Sequence, residues 1–366
     1  MLEKIKNIAV LSLAVLCIFG FFIWGIIQPD QEMSYTERRP LADFPKLSLN
    51  AVLDGKFMTE FEEYTLDQFP LRDSFRTLKA ITSFYVLGQK DNNDIYIVGD
   101  SIGKLDYPLK EDSIAYAASR FQFIYDKYLK DNNTKVYLSV IPDKNFFLAE
   151  QNGYPALDYQ EMFNQIQDKM PYADYLDITQ FLELGDYYNT DTHWRQENIA
   201  DVAAFLAEQM GVTIDSEYDV IGTDKPFYGV YYGQAALPLE ADEMYYLTNE
   251  IIENYHVFDY ESMQEVPVYD LTKLQGADHY EMFLSGNKSL ISIENANAST
   301  DKELIIFRDS FGSSLSPLLA QGYKKVTVID IRYISPAILA NYVEFADKDV
   351  LFIYSTSVLN NSVTIK

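Results

Sequence analysis

Histidine and cysteine are nearly missing from this chain. It has three histidines and one cysteine in 366 residues. The lone thiol, Cys17, excludes a disulfide within the chain and any cysteine-based metal site. His193, His256 and His279 are scattered, which speaks against zinc. Basic residues are also scarce. There are 29 Lys and Arg against 55 Asp and Glu, a net charge of −26. Such a surface repels phosphate backbones and argues against a nucleic-acid partner. Apolar material is not lacking. At 48% hydrophobic and 15% aromatic residues, the chain can bury a sizeable core and is not expected to be disordered.

Long hydrophobic runs are also few. "IAVLSLAVLCIFGFFIWGII", residues 8–27, carries no charge and follows Lys4 and Lys6. Twenty apolar residues at helical rise cross a hydrocarbon core of about 30 Å. A secretory signal would have a shorter apolar region and a small-x-small cleavage site. Here the run ends "WGIIQPDQEM" without one. It is read as an uncleaved single-pass anchor in the cell membrane. The basic flank is N-terminal, so the N-terminus is expected in the cytoplasm and residues 29–366 outside it.

The spacing divides the rest. Residues 1–28 read as cytoplasmic tail and anchor. Residues 29–90 read as a juxtamembrane segment with two helices broken at Gln68-Phe69-Pro70, because the residue before proline resists the helical region. Phe57, Phe61 and Tyr64 share one face of the first helix; Phe75, Leu78 and Thr82 share one face of the second. From residue 91 strands and helices alternate. "DIYIVG", "KVYLSVIP", "ADYLDI", "SLISI", "ELIIF", "KVTVID" and "DVLFIYS" read as strands. Helices are expected near 195–210, 312–321 and 335–343. Unbroken apolar strands of this kind occur in parallel sheets covered on both faces. The fold class is therefore a doubly wound α/β domain with a mainly parallel sheet. Residues 213–284 are Tyr-rich with period-two character, which predicts a β-rich insertion. Its tyrosines suit either stacking on sugar rings or ordinary packing.

Two motifs carry chemistry. "DTHWRQENIADVAAFLAEQMG" places Asp191 and His193 just ahead of a helix. "ELIIFRDSFGSSLSPLLA" runs from a strand through Asp309-Ser310-Phe311-Gly312 into a helix. In an open α/β sheet, ligands bind beyond the carboxyl ends of the strands. A serine there presents its hydroxyl at the sheet edge, beside free N–H groups that suit an oxyanion. Its hydroxyl needs a base, for which His193 is the candidate, with Asp191 to fix the tautomer. Each has a plainer reading: Ser310 as a helix N-cap, and His193 as a packed histidine bonded to its neighbour. The pairing of D-x-H with strand–DSF–helix favours chemistry.

Taken together, several blocks resemble the DHHW protein family, relatives of the alginate O-acetyltransferases in the SGNH-hydrolase superfamily. They are "ERRPLADFPKLS", "GKFMTEFEEYTLDQFPLRDSF", "VYLSVIPDKNFF", "NTDTHW", "YEMFLSGNKSLISI" and "FRDSFGSSLSPLLAQGYKKVTVIDIRYI". They span about residues 37–357. The chain departs from the naming motif at Thr192, where the family has histidine; Asp191, His193 and Trp194 are kept.

The resemblance implies an SGNH-like fold and roles residue by residue. Ser310 would be the acyl-accepting nucleophile, His193 the general base and Asp191 its orienter. Asn287, with Gly286, would form the oxyanion hole, joined by the Ser310 N–H. The plainer reading of Asn287 is a turn residue after glycine. Asp309, Trp194, Arg332, Tyr333 and Lys144 would line the site, with Asp143 beside Lys144 at a second strand end. A salt bridge to a carboxylate is the alternative for Arg332. The implied function is an extracytoplasmic O-acetyltransferase of an exopolysaccharide or cell-wall glycan. A polysaccharide would be the acceptor and a multi-pass membrane acyltransferase the acyl donor, and no metal or organic cofactor is implied. The alternatives are a carbohydrate acetylesterase with the same triad and a non-catalytic, membrane-tethered glycan-binding or assembly protein.

Overall fold

The computed structural model describes residues 2–366. The chain falls into two compact units. One holds the chain up to Asn92 together with Tyr232–Pro238; the other holds Asn93–Tyr231 and Leu239–Lys366.

In the first unit, the apolar run forms helix α1 (Leu2–Ile27). Its Glu3–Ile27 stretch is long and apolar enough to cross a membrane. Helices α2 (Lys56–Asp67) and α3 (Arg72–Ile81) follow, the latter running on as a π-helical turn, Thr82–Val86. The break between them falls at Gln68–Leu71, as the proline demands. The extended segment before α2 is tied down by charge. Arg39 grips Asp67 with two N–H groups at 2.7 and 2.5 Å, and Glu37 receives Arg72 at 2.6 Å and Arg76 at 3.2 Å.

The second unit is built on an eight-stranded sheet. Its strands are β1 (Lys135–Ile141), β2 (Asp174–Tyr175), β3 (His256–Asp259), β4 (Gln264–Val266), β5 (Leu290–Glu294), β6 (Glu303–Arg308), β7 (Lys325–Ile329) and β8 (Asp349–Ser355). Their order is β4-β3-β5-β7-β6-β8-β1-β2. The run from β7 to β2 is parallel. Strands β5, β3 and β4 are added antiparallel, each to its neighbour. Alternate residues of β6 go to opposite faces, as the pleat requires. Leu304 and Ile306 pack with Val202 and Leu206 of helix α6 and Leu315 and Leu318 of helix α7. Ile305 and Phe307 pack with Phe121 of helix α4 and Met162 and Ile166 of helix α5. These helices span Glu111–Ile124 (α4), Tyr159–Lys169 (α5), Ala200–Gln209 (α6) and Gly312–Leu319 (α7). Both faces are thus covered, which is why the central strands read as unbroken apolar runs.

Three elements differ from expectation. Ile95–Val98 is a strand, as read, but lies outside the main sheet. It folds back on Ser101–Lys104 through a two-residue turn with Gly99 at φ 58°, a hairpin that suits glycine in first place. The helix expected at 335–343 is a 3-10 helix, Pro336–Asn341. The insertion at 213–284 is only partly β. It holds the hairpin of Asp219–Gly222 with Tyr245–Thr248. It also donates β3 and β4 to the main sheet, since β3 finds its partner in β5.

This topology brings several segments to one edge. Residue Ser355 ends β8 opposite Ile141 of β1, and Phe307 near the end of β6 lies opposite Ile329 of β7. Leu290, the first residue of β5, also lies opposite Ile329. The turn after β6, the segment after β1 and the loop leading into β5 therefore share the carboxyl edge of the parallel strands.

Candidate active site

The nucleophile turn is fixed from below. Asp309 is fully buried and accepts from the Phe311 N–H at 3.1 Å and from the N–H and hydroxyl of Ser355, both at 2.7 Å. It thus staples the turn to the end of β8. Gly312 is required where it stands, because a Cβ would lie 2.6 Å from the Arg308 side chain. Ser310 is left half-buried at the head of α7.

The D-x-H spacing has a local cause. Asp191 Oδ1 accepts from the backbone N–H of His193 at 3.0 Å, an Asx-type turn, and faces His193 Nδ1 at 2.6 Å. Its other oxygen accepts from the Val230 N–H at 2.7 Å. A carboxylate only accepts, so Nδ1 carries the proton and the Nε2 lone pair is free. Nε2 lies 2.7 Å from Ser310 Oγ, although the two residues are 117 positions apart. The hydroxyl donates and the imidazole accepts. Asp191 and His193 are buried, at 1% and 9% exposure.

Trp194 joins the two motifs. Its indole N–H lies 2.9 Å from Ser314 Oγ and 3.2 Å from the Phe311 carbonyl. Fully buried and edge-on to Phe311, it docks the loop on α7. The Tyr280 ring stacks on His193 at 3.8 Å and 9°, and its hydroxyl meets Ser314 Oγ at 2.8 Å. The imidazole is therefore clamped in plane as well as by its nitrogens.

A second carboxylate shapes the loop. Asp242 is buried and accepts from the Asn189 and Thr190 N–H groups at 2.8 Å, the Thr190 hydroxyl at 2.6 Å and Arg195 at 2.6 Å. Gly229 passes so close that a Cβ would sit 2.3 Å from Asp191 Cβ. The segment expected as an insertion thus supplies Asp242, Tyr280 and the Val230 N–H to this site. Tyr269 and Tyr255 of the same segment spend their hydroxyls on the carbonyls of Leu247 and Pro317. Packing, rather than an open sugar platform, accounts for these rings.

Lys144 lies under the loop. Its Nζ donates to the Tyr188 and Asn189 carbonyls, both at 2.9 Å, and stands 5.0 Å over the Tyr231 ring. Burial pushes its ammonium down from 10.5 to about 7, against the pull of Asp191 and Asp242. Asp143 beside it accepts from Thr356 and Tyr159, and burial raises its carboxyl. In the unfolded chain the lysine keeps its proton up to its ordinary value, and in the folded chain it gives it up earlier. Between these values the unfolded state binds more protons, so this residue's contribution to stability rises with pH. Lys144→Met is expected to flatten the rise of Tm over the window from about 7 to 10.5, as followed by thermal unfolding across that range. A variant whose Tm keeps the wild-type pH slope would show that this ammonium is not buried.

Other expected residues are placed differently. Arg332 is bound to Asp330, with Nε at 2.9 Å and Nη2 at 2.7 Å, which is the alternative read for it. Tyr333 is exposed beside it. Asn287 is exposed, and its amide donates to Glu281 at 3.4 Å. Gly286 is buried with φ 92°, following Leu284 and Ser285, which also have positive φ. Among the described residues, no hydrogen bond joins Asn287, Gly286, Arg332 or Tyr333 to the triad. The Phe311 N–H is held by Asp309 and is not free for an oxyanion. No group of three His, Cys, Asp or Glu side chains among the described residues could hold a metal ion.

The eight-stranded α/β fold that carries this Ser-His-Asp chain is similar to structures already solved. A DHHW family protein from Eubacterium siraeum shares the fold, with a TM-score of 0.60 and 21% identity over 75% of this chain and 95% of that one. PatB1 of Bacillus cereus, in a structure with a sulfonyl adduct, does so with a TM-score of 0.59 and 20% identity over 74% of this chain and 97% of that one. No family model matches the chain, and no curated protein matches it significantly. The family that the sequence resembles thus has a solved member with a similar fold.

Proposed function

We propose that this chain is a membrane-anchored, extracytoplasmic O-acyltransferase that acetylates a polysaccharide through an acyl-serine on Ser310. The observation that carries this reading is the unbroken hydrogen-bonded chain Asp191–His193–Ser310 at the sheet edge. The likeness in fold to a DHHW family protein supports it, and α1 supplies a segment suited to the anchor.

In the first half-reaction, Ser310 Oγ attacks the acyl carbonyl and its proton passes to His193 Nε2. The new imidazolium is stabilised by Asp191 across Nδ1. The oxyanion is received by the Ser310 N–H and by the Asn287 amide, which turns from Glu281 to reach it, whereas the Gly286 N–H is held by the Phe283 carbonyl at 3.2 Å. The donor's leaving group departs with the proton from Nε2. In the second half-reaction a sugar hydroxyl gives its proton to Nε2 and attacks the acyl-serine; the bond from the acyl carbon to Ser310 Oγ breaks, Oγ takes the proton back from Nε2, and the ester is left on the sugar. A multi-pass membrane acyltransferase is proposed to supply the acyl group at the membrane.

Transferase and esterase share this triad and differ in what accepts the acyl group. Purified full-length protein is expected to move acetyl from an activated ester to an added oligosaccharide, read as acetylated sugar by mass spectrometry. Free acetate alone, at the same rate with and without the sugar, would assign the chain to the esterases.

A further inference from the structure

The second juxtamembrane helix carries an apolar stripe that its own unit covers only at Phe75. Residues on a helix are spaced about 100° apart. Leu71, just before α3, and Phe75, Leu78 and Tyr85 fall along one side and are 51%, 41%, 57% and 71% exposed. The opposite side is packed: Ala80 and Ser83 are buried, and Arg72 and Arg76 are held by Glu37. The stripe is thus the reverse of an ordinary amphipathic surface helix, whose apolar side faces the core. A water-facing monomer surface rarely keeps such a patch without a use.

What covers the stripe is indicated by where it begins. Phe21 of α1 packs on Phe69 and Phe75, with ring centroids 5.5 Å apart in both pairs. Gln28, just past the end of α1, donates to the Gln68 carbonyl at 2.6 Å. Phe21 lies six residues before the last residue of α1, Ile27, about 9 Å along the axis at about 1.5 Å per residue. Interfacial helices bury their apolar side about 5–10 Å into the headgroup and acyl boundary. If α1 spans the bilayer, its contact with Phe75 sets α3 at that depth. The apolar stripe is then continuous with a helix whose own surface is apolar all round. Tyr85, at the far end, has the amphipathic ring that favours the interface.

We propose that α3 and its π-helical continuation lie in the outer leaflet's interface as a membrane-embedded collar beside α1, with Leu71, Phe75, Leu78 and Tyr85 in lipid. This rests on the anchor reading above. A lipid surface is favoured over a protein partner because the aromatic cluster of Phe69 and Phe75 already sits on α1. The function of the collar is to fix the orientation of this unit at the bilayer rather than leave it on a free tether.

The test uses full-length protein in phosphatidylcholine vesicles. Native Cys17 is labelled with a small fluorophore to report the anchor. In a Cys17→Ser background, Leu71→Cys, Leu78→Cys, Tyr85→Cys and, on another side, Asp73→Cys carry the label singly. Quenching is compared for a nitroxide lipid and for aqueous iodide. The expected result is several-fold stronger lipid quenching at positions 71, 78 and 85 than at 73, and the reverse for iodide. Iodide reaching 78 as readily as 73, with Cys17 still lipid-quenched, would overturn the collar and leave the anchor intact. Iodide reaching Cys17 would overturn both. Protection of 78 from both quenchers would assign the stripe to a protein contact and overturn the lipid proposal.

Discussion

Ser310→Ala is expected to lower triad-dependent release of acetate from an activated acetyl ester by up to about 10⁶-fold, the scale set by triads whose members act as a unit. His193→Ala should cost about as much, and the double variant little more. The reason is the geometry: one proton path runs from Ser310 Oγ to His193 Nε2 over 2.7 Å, and either deletion cuts it. The fold should survive Ser310→Ala, since among the described residues Oγ is bonded only to that imidazole and the turn is held by Asp309 instead. Steady-state rates, with folding checked by circular dichroism, decide the matter. A Ser310→Ala protein that retains wild-type turnover would place the chemistry elsewhere.

Asp191→Asn is expected to lower turnover by about 10⁴-fold, the scale of wrong-tautomer damage in such a triad. An amide nitrogen turned toward Nδ1 would donate to it, drive the proton to Nε2 and block acceptance from Ser310. An amide oxygen turned there instead leaves the Val230 N–H facing a donor, because the carboxylate now serves both sides. That loss of a buried partner costs about 1–3 kcal/mol of stability. The discriminating readout is rate per folded molecule. If Asp191→Asn loses only in proportion to its folded fraction, Asp191 is a loop staple and not an orienter of the base.

Parts of this site could be read from the sequence because their causes are local. Asp191 and His193 are two positions apart, and one carboxylate oxygen serves both the backbone and the ring of the later residue. The strand–DSF–helix run likewise announces its own turn. Trp194 belongs to the first of these motifs, but its task of docking the loop on Ser314 needs α7 in place. Asp242, Tyr280 and Ser314 were missed as functional residues. Each acts across the fold, and a lone aspartate, tyrosine or serine in a Tyr-rich or Ser-rich stretch carries no spacing signal. Tyr280 opens the stretch "YEMFLSGN", yet its stacking on His193 exists only once β5 delivers that loop to the sheet edge. The strand expected at 94–99 is present, but its hairpin partner could not be read, for a related reason. A short apolar run does not say which strand it pairs with, and the glycine turn at Gly99 decided for the nearest one. Arg332 had two readings of equal standing, and the structure shows its bond to Asp330.

The central claim is that Ser310 carries an acyl group between donor and acceptor. The most direct measurement mixes the full-length protein with an activated acetyl ester, quenches with acid during the first turnovers and maps the peptides by mass spectrometry. One acetyl group is predicted on the peptide containing Ser310, absent from Ser310→Ala and discharged on adding an oligosaccharide. Triad-dependent turnover with Ser310 never acetylated, or with the acetyl on another side chain, would contradict it.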